Sequence, residues 1–278
     1  MIEVWSEVGP TCANDHMPQE MLTRLRKHIS RHPWWQARAR LIGRLIHELL
    51  GPGPKSVIDV GCGWGVTLDY LEKQKHFVTG LDIGRDALEE IDQPSRNLIL
   101  GNIENGPIPQ SAQAAFDIVL ALDVLEHLDD DRGALAHLVQ LARPGGLVIV
   151  TVPAGMSLWS EFDDVQGHRK RYERTELEKL FAENLELTQS KVAYCWPWLV
   201  WPAKLSRRQQ NVTDISPLKA PVDIYEKYVR PPRWPMNWLM NVIFAMSEKA
   251  ILRQTNRSGT TLLGYGFRGA TTTPEQGI

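Results

Sequence analysis

Val57-Ile58-Asp59-Val60-Gly61-Cys62-Gly63-Trp64-Gly65 is the stretch on which the reading of this chain turns. A short apolar run, expected as a buried strand, ends in an acid and then breaks into three glycines at alternate positions. Helix-competent residues follow, Val66-Thr67-Leu68-Asp69-Tyr70-Leu71-Glu72. Strand, glycine bend and helix in succession build a nucleotide-sized niche at the edge of an α/β sheet. Glycine lets the backbone bend and lets a ligand reach main-chain N–H groups with no Cβ in the way. A tight strand-to-helix loop without a ligand is the alternative, and spacing argues against it. A second apolar run, His76-Phe77-Val78-Thr79-Gly80-Leu81-Asp82, places an acid about 20 residues past the first glycine. An acid there accepts hydrogen bonds from both ribose hydroxyls of an adenosine.

NAD satisfies the ribose requirement equally well, so the glycine spacing has to discriminate. It is Gly-x-Gly-x-Gly and lacks the later glycine that a pyrophosphate requires. Asp59 stands just ahead of the bend, where a carboxylate suits a cationic amino and sulfonium group and repels a diphosphate. These features favour S-adenosylmethionine as the cofactor.

Asp59-Val60-Gly61-Cys62-Gly63-Trp64-Gly65 resembles the first signature of class I S-adenosylmethionine-dependent methyltransferases. Further matches come in order: Phe116 to Ala121 resembles the fourth strand, Asp123 to Leu128 the loop after it, and Arg143-Pro144-Gly145-Gly146 the turn into the fifth strand, Leu147 to Pro153. The resemblance is closest to a bacterial subgroup associated with polysaccharide or small-metabolite methylation. That subgroup carries segments similar to His32-Pro33-Trp34-Trp35 and Gly167-His168-Arg169. The core match covers roughly residues 52 to 192. It implies a Rossmann-like sheet of seven mostly parallel strands, with a final antiparallel strand between strands five and six.

Composition agrees with one α/β fold carrying extra helices, at 278 residues with net charge −2. Near-neutral charge gives no basis for nonspecific nucleic-acid binding. Three dispersed cysteines offer neither a disulfide framework nor zinc spacing. No basic segment leads into an apolar run at the start, and no apolar run is long enough to span a bilayer, so a cytoplasmic protein is expected. Residues 1–50 read as a helical cap, 51–192 as the cofactor-binding core, 193–255 as a Trp-rich helical insertion and 256–278 as the last strand and a tail. Strands are predicted near 56–60, 77–82, 97–101, 116–121, 146–152, 185–192 and 260–267, and helices near 34–50, 65–75, 85–92, 131–142 and 174–184, the last capped by Thr175.

Asp59, Gly61, Gly63, Gly65, Asp82, Ile83, Asn102, Ile103 and Asp123 are the expected cofactor-binding residues. Asp82 takes the ribose and Ile83 the adenine; a helix-capping acid is the other reading of Asp82. Asn102 stands where the resembled family usually has an aspartate; its amide oxygen still accepts from the adenine amino group, or the residue serves a turn. His127 and His168 are candidate bases for a hydroxyl acceptor, although Glu126-His127 can equally orient the loop and Asp129 to Asp131 cap the next helix. Arg169 and Tyr172, with Trp34, Trp35 and Arg38, are candidates for the acceptor side; a salt-bridged loop and a hydrophobic staple are the plain alternatives. No metal is expected. The Trp-rich insertion reads first as a pocket cover, with a dimer surface or a membrane-interface patch as rivals. A methyl transfer to a small-molecule, sugar or lipid-linked acceptor is the leading reading. A non-catalytic binder of the same donor and an NAD(P)-dependent oxidoreductase are the alternatives. The latter usually carries Tyr-x-x-x-Lys, which this sequence lacks.

Overall fold

The computed structural model describes residues 2–6, 25–205 and 221–270. Eight strands form one sheet: β1 (Ile2–Val4), β2 (Ser56–Val60), β3 (Phe77–Asp82), β4 (Asn97–Leu100), β5 (Phe116–Leu122), β6 (Ala142–Pro153), β7 (Leu187–Cys195) and β8 (Thr261–Arg268), in the order β1-β4-β3-β2-β5-β6-β8-β7. All neighbours from β1 to β6 are parallel. β8 enters antiparallel between β6 and β7, as the resemblance implied. Among the described residues the expected count of seven is corrected to eight. β1 lies in the stretch expected to be a helical cap, and its three residues pair with Leu98 to Leu100 of β4 at the sheet edge.

Helices cover both faces: α1 (Pro33–Leu50), α2 (Val66–Lys73), α3 (Arg85–Glu90), α4 (Asp131–Leu141), α5 (Glu161–Gln166), α6 (Arg174–Glu183), α7 (Pro221–Val229) and α8 (Met236–Leu252). Side chains alternate across a pleated strand, and neighbouring residues accordingly join different cores. Val57, Ile118 and Ile149 pack with α1, α2 and Phe244 of α8. Ile58, Val119 and Val150 pack with α4 and α6. Strands buried on both faces read as unbroken apolar runs, which is why 118–122 and 147–150 stand out in the sequence.

Local chemistry sets the helix ends. The His32 side chain accepts from the Trp34 N–H, and Pro33 occupies the first turn of α1, where its missing N–H costs nothing. Asp130 caps α4 through the Gly133 N–H at 2.9 Å. The cap of α6 is Glu173 and not Thr175: Glu173 and Glu176 close a reciprocal box in which the Glu176 carboxylate accepts from the Glu173 N–H at 2.7 Å. A carboxylate at the cap performs the task expected of the hydroxyl.

Candidate functional site

The carboxyl ends of β2, β3 and β5 open on a cleft of about 1050 Å³. Open α/β sheets place ligands at this edge, where the strand order reverses. After β2 the backbone turns through Gly61, Gly63 and Gly65, all at positive φ. A Cβ on Gly61 would sit 2.5 Å from the Val124 side chain, whereas one on Gly63 would meet nothing within 4 Å. Gly61 is therefore glycine for packing, and Gly63 presents open backbone to the cleft. The turn is tied to β3 twice. Gly61 N–H donates to the Leu81 carbonyl at 2.7 Å, and Gly63 N–H donates to Asp82 Oδ2 at 2.8 Å. Asp82 Oδ1 accepts from Gly84 N–H, also at 2.8 Å. The acid at the end of β3 thus braces the glycine bend while lining the cleft.

Asp59 is buried beneath the bend, and burial pushes its carboxyl up to about 7, with Arg38 opposing and Asp82 adding to the shift. Arg38 reaches from α1 to the end of β5, where it pairs with Asp123 and lies 5.0 Å above the Trp34 ring. Asp123 sits in the left-handed region at φ 59°, and its Oδ1 accepts from Thr151 Oγ1 at 3.1 Å. One ion pair therefore joins the expected cofactor residue Asp123 to the expected acceptor residue Arg38.

Beyond Asp123 the chain makes a short helical turn, Leu125–His127, that buries Glu126 completely. Neither Glu126 carboxylate oxygen has a hydrogen-bond partner among the described residues. Burial, with Asp123 adding to it, raises this carboxyl well above its ordinary value. His127 and His168 meet edge-on with ring centroids 4.8 Å apart. Burial, together with His168, lowers His127 to about 4. His168 Nδ1 lies 2.9 Å from Asp163 Oδ1, and Arg171 Nε donates to the same oxygen at 2.7 Å. Burial alone would raise Asp163, but the bonds and charge from His168 and Arg171 outweigh it and hold the carboxyl at about 2.

Most residues expected from the sequence line this cleft: Asp59, Gly61, Gly63, Asp82, Ile83, Asn102, Ile103, Asp123, His127, His168, Arg169, Trp34, Trp35 and Arg38. Gly65 does not; it starts α2, and its Cβ position faces Arg96 and Ile91. Tyr172 does not either. It is buried in the core between β6 and α4, and its hydroxyl donates to Asp131 Oδ2 at 2.7 Å. Asn102 uses its amide oxygen to accept from Glu104 N–H at 2.8 Å, the turn role weighed for it. Arg169 donates to the His127 carbonyl at 2.6 Å and pairs with Asp129. Cys62 is buried in the first core.

The aromatic roof is made by residues that sequence reasoning did not single out, although Tyr225 and Tyr228 lie in the insertion read first as a pocket cover. Trp64, Phe162, Tyr225 and Tyr228 all line the cleft; Phe162 stacks on Tyr228 at 4.7 Å and meets Tyr225 at 5.1 Å. Leu25, Ile29, Tyr225 and Val229 form a small separate core that carries this roof. Tyr225 and Tyr228 are three apart on α7, the spacing that puts two rings on one helix face, and that spacing was the available signal.

A family model described as a methyltransferase domain matches residues 34–189. The ubiquinone biosynthesis O-methyltransferase of Cronobacter sakazakii is 31% identical over 111 residues, covering 38% of this chain and 46% of that protein. The protein of the same name from Pseudomonas fluorescens is 29% identical over 133 residues, covering 42% and 56%. The chain thus spans about half the length of the curated relatives it matches. Among solved structures, the plantazolicin methyltransferase BamL, in complex with a triazolic desmethylPZN analog and SAH, superposes with a TM-score of 0.56 at 13% identity, covering 90% of each chain. The YcgJ protein from Bacillus subtilis gives 0.52 at 15% identity, covering 83% of this chain and 99% of that one. At such identities the likeness is one of fold. Because the family model covers more than half of its residues, this chain belongs to the methyltransferase domain family.

Proposed function

We propose that this chain binds S-adenosylmethionine in the cleft and transfers its methyl group to a hydroxyl of a small-molecule, sugar or lipid-linked acceptor. The carrying observation is the Asp82 carboxylate, held by the Gly63 and Gly84 amides beside an open glycine bend at the sheet edge. In this reading Asp82 accepts from the ribose hydroxyls. Ile83, Asn102 and Ile103 take the adenine, while Asp59 and Asp123 face the cationic methionine end. The names of the curated relatives support oxygen as the acceptor atom.

Methyl transfer is an in-line displacement. The acceptor oxygen bonds to the methyl carbon as the carbon–sulfur bond breaks, and a neutral thioether leaves. Holding the two reactants in line lowers the barrier by up to about 7–11 kcal/mol. Side chains of α1, α5 and α7 line the cleft opposite the sheet edge and keep water from the reacting groups. His127 and His168 stand at the acceptor end. Titration with S-adenosylmethionine and with NADH tests the reading. Donor binding together with a methylated product formed from cell extract is the expected result. NADH binding alone returns the oxidoreductase reading, and donor binding with no turnover across acceptors leaves a non-catalytic binder.

The described tryptophans of the insertion (193–255) fall into two groups. Trp196 and Trp198 pack on Phe244, whereas Trp201, Trp234 and Trp238 are exposed. No helix among the described residues is long and apolar enough to cross a membrane. We take the exposed tryptophans as a surface that touches a bilayer from the cytoplasmic side when the acceptor is lipid-linked. Cosedimentation with anionic vesicles that is lost in the Trp234→Ser, Trp238→Ser double variant is expected; equal pelleting of both proteins refutes it.

A further inference from the structure

We propose that Glu126, His127 and His168 form a binding site for one divalent transition-metal ion, which receives the acceptor oxygen; the second part rests on the methyl-transfer reading above. One ligand atom from each of the three lies within 4.8 Å of the others. His168 Nε2 is 3.9 Å from Glu126 Oε1, too far for a hydrogen bond, and both atoms are buried without partners among the described residues. Buried carboxylates and imidazoles are normally hydrogen-bonded, so two such groups left without partners, with His127 beside them, call for an occupant. Ligation at about 2.0–2.2 Å needs donors about 3 to 3.5 Å apart, a contraction within reach of side-chain rotation.

Two features distinguish this cluster from a chance meeting of polar groups. His168 presents its other nitrogen to Asp163, the carboxylate–histidine arrangement that fixes the tautomer of a metal ligand and aims its lone pair. Asp163 is itself held by Ser160 and Arg171. Charge is the second feature. Arg38 is paired with Asp123, Arg169 with Asp129 and Arg171 with Asp163, which leaves Glu126 with no Arg or Lys partner among the described residues. Two imidazoles and one carboxylate select a borderline ion such as Zn²⁺, Mn²⁺ or Fe²⁺ over Mg²⁺. Three protein ligands leave coordination positions open toward the cleft that these residues line. An acceptor hydroxyl that ligates the ion releases its proton to solvent water. Its oxygen then bonds to the methyl carbon as the carbon–sulfur bond breaks. On this view the two histidines hold the ion and do not themselves take the proton.

Calorimetry of the full chain, stripped with chelator and titrated with Zn²⁺, provides the test, with Co²⁺ absorption as the reporter of imidazole ligation. One ion per chain is expected. His168→Ala and Glu126→Gln should each weaken binding by more than 100-fold, and Asp163→Asn by about 10–100-fold. S-adenosylhomocysteine titrated into the same samples reads donor binding and folding independently of the ion. Substoichiometric Zn²⁺ in the parent chain, or variants that bind it as tightly as the parent, overturns the site. Stoichiometric Zn²⁺ without donor binding keeps the site and removes the methyl-transfer reading; donor binding without Zn²⁺ does the reverse.

Discussion

Replacing Asp82 by alanine tests the donor site at its centre. Each carboxylate oxygen already accepts one backbone N–H, from Gly63 and from Gly84, both at 2.8 Å. An ionised carboxylate accepts about four hydrogen bonds, so two ribose hydroxyls can share it with these amides. Hydrogen bonds to a charged acceptor contribute about 1.5–3 kcal/mol each. Losing two removes about 3–6 kcal/mol, which is about 10²- to 10⁴-fold in affinity at about 1.4 kcal/mol per decade. Asp82→Asn keeps one acceptor oxygen and should lose about half of that free energy. Isothermal calorimetry with S-adenosylhomocysteine measures both, and circular dichroism confirms that the sheet persists. If Asp82→Ala binds within threefold of the parent while folded, the ribose assignment is wrong and the acid serves only to brace the turn.

Three further outcomes follow from the same geometry. Gly61→Ala forces a Cβ to 2.5 Å from Val124 at positive φ, so it should cost about 1–3 kcal/mol in urea unfolding; Gly63→Ala meets no neighbouring atom, so it should cost only the left-handed backbone strain, about 1–2 kcal/mol, and should weaken donor binding as well. Asp59 keeps its proton up to about pH 7 in the folded protein, against an ordinary value of 3.8, so the folded state binds the extra proton between those limits. Its contribution is complete below the unfolded value and lost as pH rises to about 7, at up to about 1.4 kcal/mol per unit; unfolding curves of the parent and Asp59→Asn that keep a constant gap from pH 4 to 7 would contradict this. Arg38→Met leaves Asp123 without its cation and should destabilise by about 1–3 kcal/mol. Asp123→Asn in the same chain should recover part of that loss in a double-mutant cycle, and strict additivity would show that the pair is not coupled.

Much of this architecture is legible along the chain because it is local. Residues 57–65 combine a strand period, an acid and a glycine bend, and each acts on its immediate neighbours. The doubly buried strands declare themselves by unbroken apolar runs. Ile2–Val4 carries no such signal, since three residues are too few to show alternation and their partner, Leu98 to Leu100, is remote in sequence. The site is readable in the same measure. Asp82 and the glycines precede the structure, but the meeting of Glu126, His127 and His168 does not, because two loops after different strands create it. His127 and His168 look like competitors in the sequence and are neighbours in space. Tyr172 misleads for a related reason: a Tyr beside a run of arginines reads as polar surface, whereas its ring is buried and its hydroxyl is satisfied by Asp131.

The threading of β8 between β6 and β7 has a consequence for biogenesis. Among the described residues β7 is bonded in the sheet only to β8, yet β8 is translated after α7 and α8. A nascent chain stalled before residue 261 would expose the open edge of β6, Leu147 to Val152, an apolar ribbon with no charge along it. Unpaired edges of this kind template association with other chains. A chaperone that binds unpaired apolar segments would therefore have its engagement window between the emergence of β6 and that of β8, and ribosome profiling of chaperone-bound nascent chains should place occupancy there.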